Sequence, residues 1–298
     1  MTQQKKKTYL TLVVLAILGT VYHFVWDGGT EGEEIENLGL AAGGTSAASS
    51  DDVAPTTDPM SRIEIPFRLE DTAADIVEHM GYTISYNQDY RVSNWVAYEL
   101  LASEVYTGYR AREDSFEPDP LIKGRQAYDS DYVGSGYDRG HMAPAGDMKW
   151  SSQAMKESFY LSNVCPQNHN LNAGAWNDLE KQIRYEAKYY GSVYVTCGPI
   201  FNSSRPDHIG SNHVMVPDSF FKAILTKTKD GSYAAVGFIF PNETCTRNLT
   251  LYAMSVDELE QKLGMDFFFN LDPKIQEKAE ASFDLYKDWR IKDEVLRD

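Results

Sequence analysis

The residue types best suited to chemistry stand together in one short stretch. Tyr137 to Pro144 reads YDRGHMAP and is entered from Gly134-Ser135-Gly136. Asp138, Arg139 and His141 supply an acid, a permanent cation and a titratable base within four positions. Phosphodiester hydrolysis uses these types. A neutral imidazole, with a reference pKa of ~6.5, takes a proton from water near neutral pH. A guanidinium holds phosphate oxygens bidentately. Taken alone, the same residues fit a salt-bridged turn whose histidine merely packs.

A second cluster follows at residues 159–184, FYLSNVCPQNHNLNAGAWNDLEKQIR. It places Asn163, Asn168, Asn170 and Asn172 ahead of Trp176 and Glu180. Asparagine at this density usually makes turns and helix caps, and Asn172 fits an N-cap. An amide oxygen is also a hard, neutral ligand suited to Mg²⁺.

The elements that must position these residues are mixed. YTISYN (82–87), SVYVTCGPI (192–200), HVMVP (213–217), FFKAILTKT (220–228) and SYAAVGFIFP (232–241) are β-branched and aromatic runs, which predict strands. NWVAYELLASEV (94–105) predicts a strand running into a helix. Trp176, Leu179, Ile183, Ala187 and Tyr190 recur at helical steps. Ser255 with Glu258 forms a capping box ahead of Leu259 and Leu263, and residues 272–295 predict a charged helix. Without regular βαβ alternation, the class is α+β with a largely antiparallel central sheet.

The ordered motifs resemble the DNA/RNA non-specific endonucleases, the ββα-metal-finger nucleases that include endonuclease G-like enzymes. They run from NWVAY (94–98) through Arg112-x-x-x-Phe116, GSGYDRGHMAPAGD (134–147), FYLSNVCPQ (159–167), LNAGAWNDLE (171–180) and VYVTCGPI (193–200). HVMVPDSFFKAIL (213–225), GFIFPN (237–242) and SVDELE (255–260) complete a likeness over roughly residues 65–270. The resemblance implies a ββα finger carrying the active site and one Mg²⁺, with Mn²⁺ able to replace it. It implies His141 as general base and Asn172 as the single protein ligand of the metal. It further implies Glu180 holding a water on the ion, Arg139 and Arg112 on phosphate, and Asn163 helping to position the site. Arg110 and Arg125 are alternatives to Arg112. In a straight helix Asn172 and Glu180 would lie ~12 Å apart along the axis, so these roles require a bend at Ala173-Gly174.

The implied function is cleavage of DNA and RNA with little sequence preference. The formal net charge of −16 argues against a broad basic face for nucleic acid. Beyond residue 61 there remain 25 basic and 36 acidic side chains, or −11. An enzyme needs only a local arginine cluster and an ion. The alternative is a membrane-tethered nucleic-acid-binding or adaptor protein with an inactive nuclease fold. It accommodates the acidity but leaves His141, Asn172 and Glu180 together unexplained.

Residues 1–26 read as a cytoplasmic stub and transmembrane signal anchor, with Lys5–Lys7 before the apolar run 9–26. Eighteen helical residues span ~27 Å, and the flanking charges place the C-terminus outside the cytoplasm. Cleavage after the run would instead release a secreted form. Residues 27–61, acidic and rich in Gly, Ser, Ala and Thr, read as a flexible linker to a nuclease domain at 62–298. Cys165, Cys197 and Cys245 leave at least one unpaired thiol, and a Cys197–Cys245 bridge is conceivable outside the cytoplasm. Trp95, Trp176 and Trp289 read as core aromatics. His208 and His213 lack partners at zinc-ligand spacing.

Overall fold

The computed structural model describes residues 62–67, 75–107, 115–203 and 206–291. The proposed anchor, the linker and Arg112 lie outside them. Among the described residues no helix is long and apolar enough to cross a membrane.

The fold is α+β, built on a seven-stranded sheet in the order β1-β2-β3-β6-β9-β10-β11. Its strands are β1 (Asp75–Glu78), β2 (Thr83–Asn87), β3 (Val92–Leu101), β6 (Ser192–Ile200), β9 (Ser219–Lys227), β10 (Tyr233–Pro241) and β11 (Ala253–Met254). Every pairing within it is antiparallel. A separate two-stranded ribbon joins β4 (Asp138–His141) to β5 (Val164–Gln167), and β7 (His208–Ile209) pairs with β8 (Val214–Met215).

The large sheet is covered on both faces because its side chains alternate between two cores. Val96 and Tyr98 of β3, with Phe220 and Ile224 of β9, pack on the face that carries Trp176, Leu179 and Ile183. Trp95, Ala97, Phe221, Ala223 and Leu225 pack on the other face with Val256, Leu259, Phe267 and Phe268. Strand β9 is therefore buried at every position except Lys227. Each large apolar side chain removed from water in this way contributes ~1.5–3 kcal/mol before entropy is counted.

Four helices matter for the site and its support: α1 (Ser152–Ser158), α2 (Asn177–Tyr190), α3 (Val256–Leu263) and α4 (Pro273–Glu280). The Ser151 hydroxyl accepts from the Gln153 and Ala154 amides to start α1. The Ser255–Glu258 capping box starts α3, and Gly264 ends it in the left-handed region at φ 66°.

Three sequence expectations are corrected. The expected strand over 213–217 is reduced to Val214–Met215, because His213 takes a positive φ of 56° in the turn before it. The helix expected over 272–295 stops at Glu280. Beyond it Trp289 and Ile291 are both buried, and side chains two apart cannot share one helix face. Tertiary burial overrides the local helical pattern there. All three cysteines are free thiols, so the conceived Cys197–Cys245 bridge is absent.

Candidate active site

The DRGH residues are strand β4, although their mixed polarity reads as a turn. Antiparallel pairing sets Asp138 opposite Gln167, Gly140 opposite Cys165 and His141 opposite Val164. Gly140 is required by close approach: a Cβ there would lie 2.2 Å from the Gln167 Oε1 and 2.5 Å from its Cβ. After β5 the Asn168 side chain accepts from the Asn170 and Leu171 amides, so Asn168, not Asn172, is the N-cap. Residues Asn172–Trp176 form a wide turn before α2, broken at Gly174 by a non-helical ψ of −116°. Strand, strand and helix thus make a ββα finger, and Asn172 and Glu180 are not on one straight helix.

The Asn172 amide is oriented by the first residue of the motif. Its Nδ2 donates to Asp138 Oδ2 at 2.9 Å, and the same oxygen lies 2.9 Å from His169 Nδ1. With its nitrogen committed to a carboxylate, the oxygen is the atom this amide could offer a cation. Sequence reasoning singled out Asp138 only as an acid and missed this bond across 34 positions.

His141 is half-buried between two phenylalanines. Its ring centroid is 5.3 Å from that of Phe116 and 5.0 Å from that of Phe159, the latter edge-on at 84°. Its backbone carbonyl accepts from Trp176 Nε1 at 3.2 Å, which ties the strand to the segment ahead of α2. Trp176 is a core residue, as read from sequence, and also a bracket for the histidine.

Asn163 is fully buried and acts on the backbone that follows His141. Its Oδ1 accepts from the Ala143 amide at 2.9 Å, and its Nδ2 donates to the carbonyls of Ala143 at 2.8 Å and Ser158 at 2.9 Å. Arg139 is held by Asp129, through Nε to Oδ1 at 2.5 Å and a second N–H to the backbone carbonyl at 3.0 Å. The guanidinium also lies over the rings of Tyr132, at 5.4 Å, and Phe116, at 5.6 Å. Arg125 is ion-paired to Asp89. Asn242, unremarked in the sequence as a site residue, clamps the finger to the sheet. It accepts from the Asn168 amide at 2.8 Å and donates to the Pro166 carbonyl at 3.1 Å and the Pro217 carbonyl at 2.9 Å.

Glu180 lies in the first turn of α2, half-buried. Burial pushes its carboxyl up to about 7; the charge of Lys222 opposes this, Asp147 adds to it, and Arg184 and Lys181 oppose it further. Asp147 is itself buried, bonded by Arg184 at 2.6 Å and by the Tyr98 hydroxyl at 3.0 Å. A neutral amide oxygen oriented by the Asp138 carboxylate is a hard donor, which fits Mg²⁺ better than a soft metal.

Comparison with known proteins agrees with this architecture. The profile of the family described as DNA/RNA non-specific endonuclease matches residues 66–274. The mitochondrial nuclease EXOG of Danio rerio is 37% identical over 216 residues, covering 68% of this chain and 63% of that protein. Nuclease C1 of Cunninghamella echinulata var. echinulata is 36% identical over 228 residues, covering 72% of this chain and 90% of that protein. A crystal structure of the EndoG/EndoGI complex, described as showing the mechanism of EndoG inhibition, superposes with a TM-score of 0.63 at 29% identity. That superposition covers 72% of this chain and 92% of the solved one. The chain spans 57–63% of the length of the EXOG proteins of Danio rerio, Xenopus laevis and Homo sapiens. With the finger, the sheet and the matched span in agreement, the chain belongs to the DNA/RNA non-specific endonuclease family.

Proposed function

We propose that this protein is an Mg²⁺-dependent endonuclease that hydrolyses phosphodiester bonds of DNA and RNA with low sequence specificity. The observation that carries the reading is the finger itself, in which one small unit contains both His141 and an Asn172 amide oriented by Asp138. His141, its ring fixed by Phe116 and Phe159, takes the proton of the attacking water. Arg139, aligned by Asp129, offsets charge that develops on the phosphate, and Arg112 is assigned the same role. Asn172, and Glu180 through water, would hold the metal, which when bound supplies Lewis-acid stabilisation of phosphate charge. Few side chains read base edges in this scheme, which accounts for low selectivity. Relatives named as nucleases support the reading.

Digestion of plasmid DNA and of RNA by the full chain, with Mg²⁺ and with EDTA, tests it. Cleavage of both polymers that stops with EDTA is expected. No cleavage of either with Mg²⁺ or Mn²⁺ would overturn it.

The site of action is proposed from sequence alone. Residues 9–26 anchor the chain in a membrane with the nuclease domain, 62–298, outside the cytoplasm on the 27–61 linker. Protease added to intact cells or spheroplasts should then remove the domain and leave a small membrane-bound stub. Protection until the membrane is dissolved would reverse the orientation. Spontaneous release of the intact domain would favour the secreted form.

A further inference from the structure

Strand β9 carries one residue that its position does not call for. Lys222 has the parity of Phe220 and Ile224, which face the finger and α2, and it is wholly buried. Strand alternation calls for an apolar side chain there, and an ammonium in such a place loses its hydration. Its Nζ lies 4.1 Å from the centre of the Trp176 ring, and its polar neighbour there is the buried Cys197 thiol, a weak partner for a full charge. A desolvated cation over an indole face is a favourable contact, but it leaves the charge itself uncompensated.

The neighbouring charges show where the compensation comes from. The groups that act on this region are Glu180 and Arg184, one turn apart on α2, Asp147 on the loop after β4, Tyr98 on β3 and Cys197 on β6; Lys181 is exposed and paired with Asp178. Asp147 is already matched by Arg184 at 2.6 Å and by Tyr98. That leaves Glu180, in the first turn of α2 beside the Leu179 and Ile183 that this face of β9 packs against, as the acid for Lys222, whose charge opposes the effect of burial on its carboxyl. The other contact of Lys222, the Trp176 indole, donates to the His141 carbonyl. One ammonium therefore lies against Trp176, which both ties down the His141 strand and leads into the helix that carries Glu180.

We propose that Lys222 is a positioning residue for the nuclease reaction: its buried ammonium supports Trp176 beneath the His141 strand and is the fixed internal counter-charge of Glu180. The role in cleavage rests on the nuclease reading above, whereas the pairing of Lys222 with Glu180 does not. A methionine would fill the same volume without the charge. Lys222→Met should therefore fold but lose at least tenfold in cleavage rate, and Lys222→Arg, which restores the cation, should recover part of it.

The test uses the full chain in a cycle of parent, Lys222→Met, Glu180→Gln and the double variant. Each is assayed for single-turnover cleavage, for melting temperature, and for the rise in melting temperature that Mg²⁺ produces. The expected result is non-additivity: in the Glu180→Gln background Lys222→Met costs less than twofold in rate and shifts the melting temperature less than it does alone. The Mg²⁺-induced rise should shrink in Lys222→Met and return in Lys222→Arg. Additive effects in both rate and melting temperature would overturn the proposal. So would cleavage by Lys222→Met within twofold of the parent, or no recovery in Lys222→Arg. Should Lys222→Met fail to fold, folding of the double variant would support the pairing, and failure of both would refute it. A parent that cleaves nothing overturns the nuclease reading, while the melting-temperature cycle still decides the pairing.

Discussion

Replacing Asn163 by alanine separates a residue that shapes the site from one that touches substrate. The side chain satisfies the Ala143 amide and the carbonyls of Ala143 and Ser158, all within a fully buried environment. Alanine leaves these three backbone groups without that partner, and each buried, unmatched group costs ~1–3 kcal/mol. With relaxation at one of them, a loss of about 2–6 kcal/mol follows, a large part of the ~5–15 kcal/mol that holds a domain folded. At a urea slope of ~2–3 kcal/mol/M the unfolding midpoint should fall by about 1–3 M. The assay is urea unfolding by circular dichroism, with cleavage measured in parallel at low temperature where the variant remains folded. Because Ala143 follows His141 by two positions, activity should fall together with stability. An unmoved midpoint beside a collapsed cleavage rate would refute this account and make Asn163 a substrate contact.

Asp138→Ala should leave the fold intact but raise the Mg²⁺ requirement about 10–100-fold, since it frees the Asn172 amide to rotate; an unchanged Mg²⁺ titration would remove Asp138 from that role. Asn172→Ala should weaken Mg²⁺ binding, and so raise the Mg²⁺ needed for cleavage, more than it weakens folding, and a normal Mg²⁺ titration would leave Asn172 a structural residue only. Burial raises the Glu180 carboxyl from an ordinary 4.5 to about 7, so the folded state binds its proton more tightly than the unfolded chain does. Its stabilising contribution is therefore full below pH ~4.5 and lost as pH rises through ~7, a change of order 3 kcal/mol without metal. Urea midpoints at pH 5 and pH 8 should differ in the parent and converge in Glu180→Gln, whereas the same pH dependence in both would assign it elsewhere. With Arg139 and Arg112 as main phosphate contacts, the log–log salt slope of binding should be about −2 to −3; a slope of −6 or steeper would point to a basic surface elsewhere.

How far the sequence reveals this molecule depends on the range of the forces at each element. Strands β6, β9 and β10 announce themselves because they are long, β-branched runs, and Ser255 with Glu258 marks the start of α3 within four positions. The bend at Gly174 follows from asking how Asn172 and Glu180 could serve one ion, and the backbone does leave helical geometry there. Strand β4 is hidden because its four residues include a glycine and three charged or titratable side chains, and only its pairing with β5 makes it a strand. The Asp138–Asn172 bond, the Asn242 clamp and the placing of Lys222 beneath Trp176 join residues 25 to 76 positions apart, which no local pattern encodes. The chain after Glu280 misleads for the opposite reason: its local pattern is helical, but burying Trp289 and Ile291 requires a turn.

The central claim is that His141, held in the ββα finger, takes the proton of the attacking water. Single-turnover cleavage of DNA and RNA by His141→Ala tests it most directly, with Mg²⁺ binding measured on the same preparation by calorimetry. A positioned general base supplies about 10²–10⁴-fold in rate, so a loss of that size is predicted, with circular dichroism and metal affinity unchanged. Cleavage within about threefold of the parent, at equal Mg²⁺ occupancy, would contradict it.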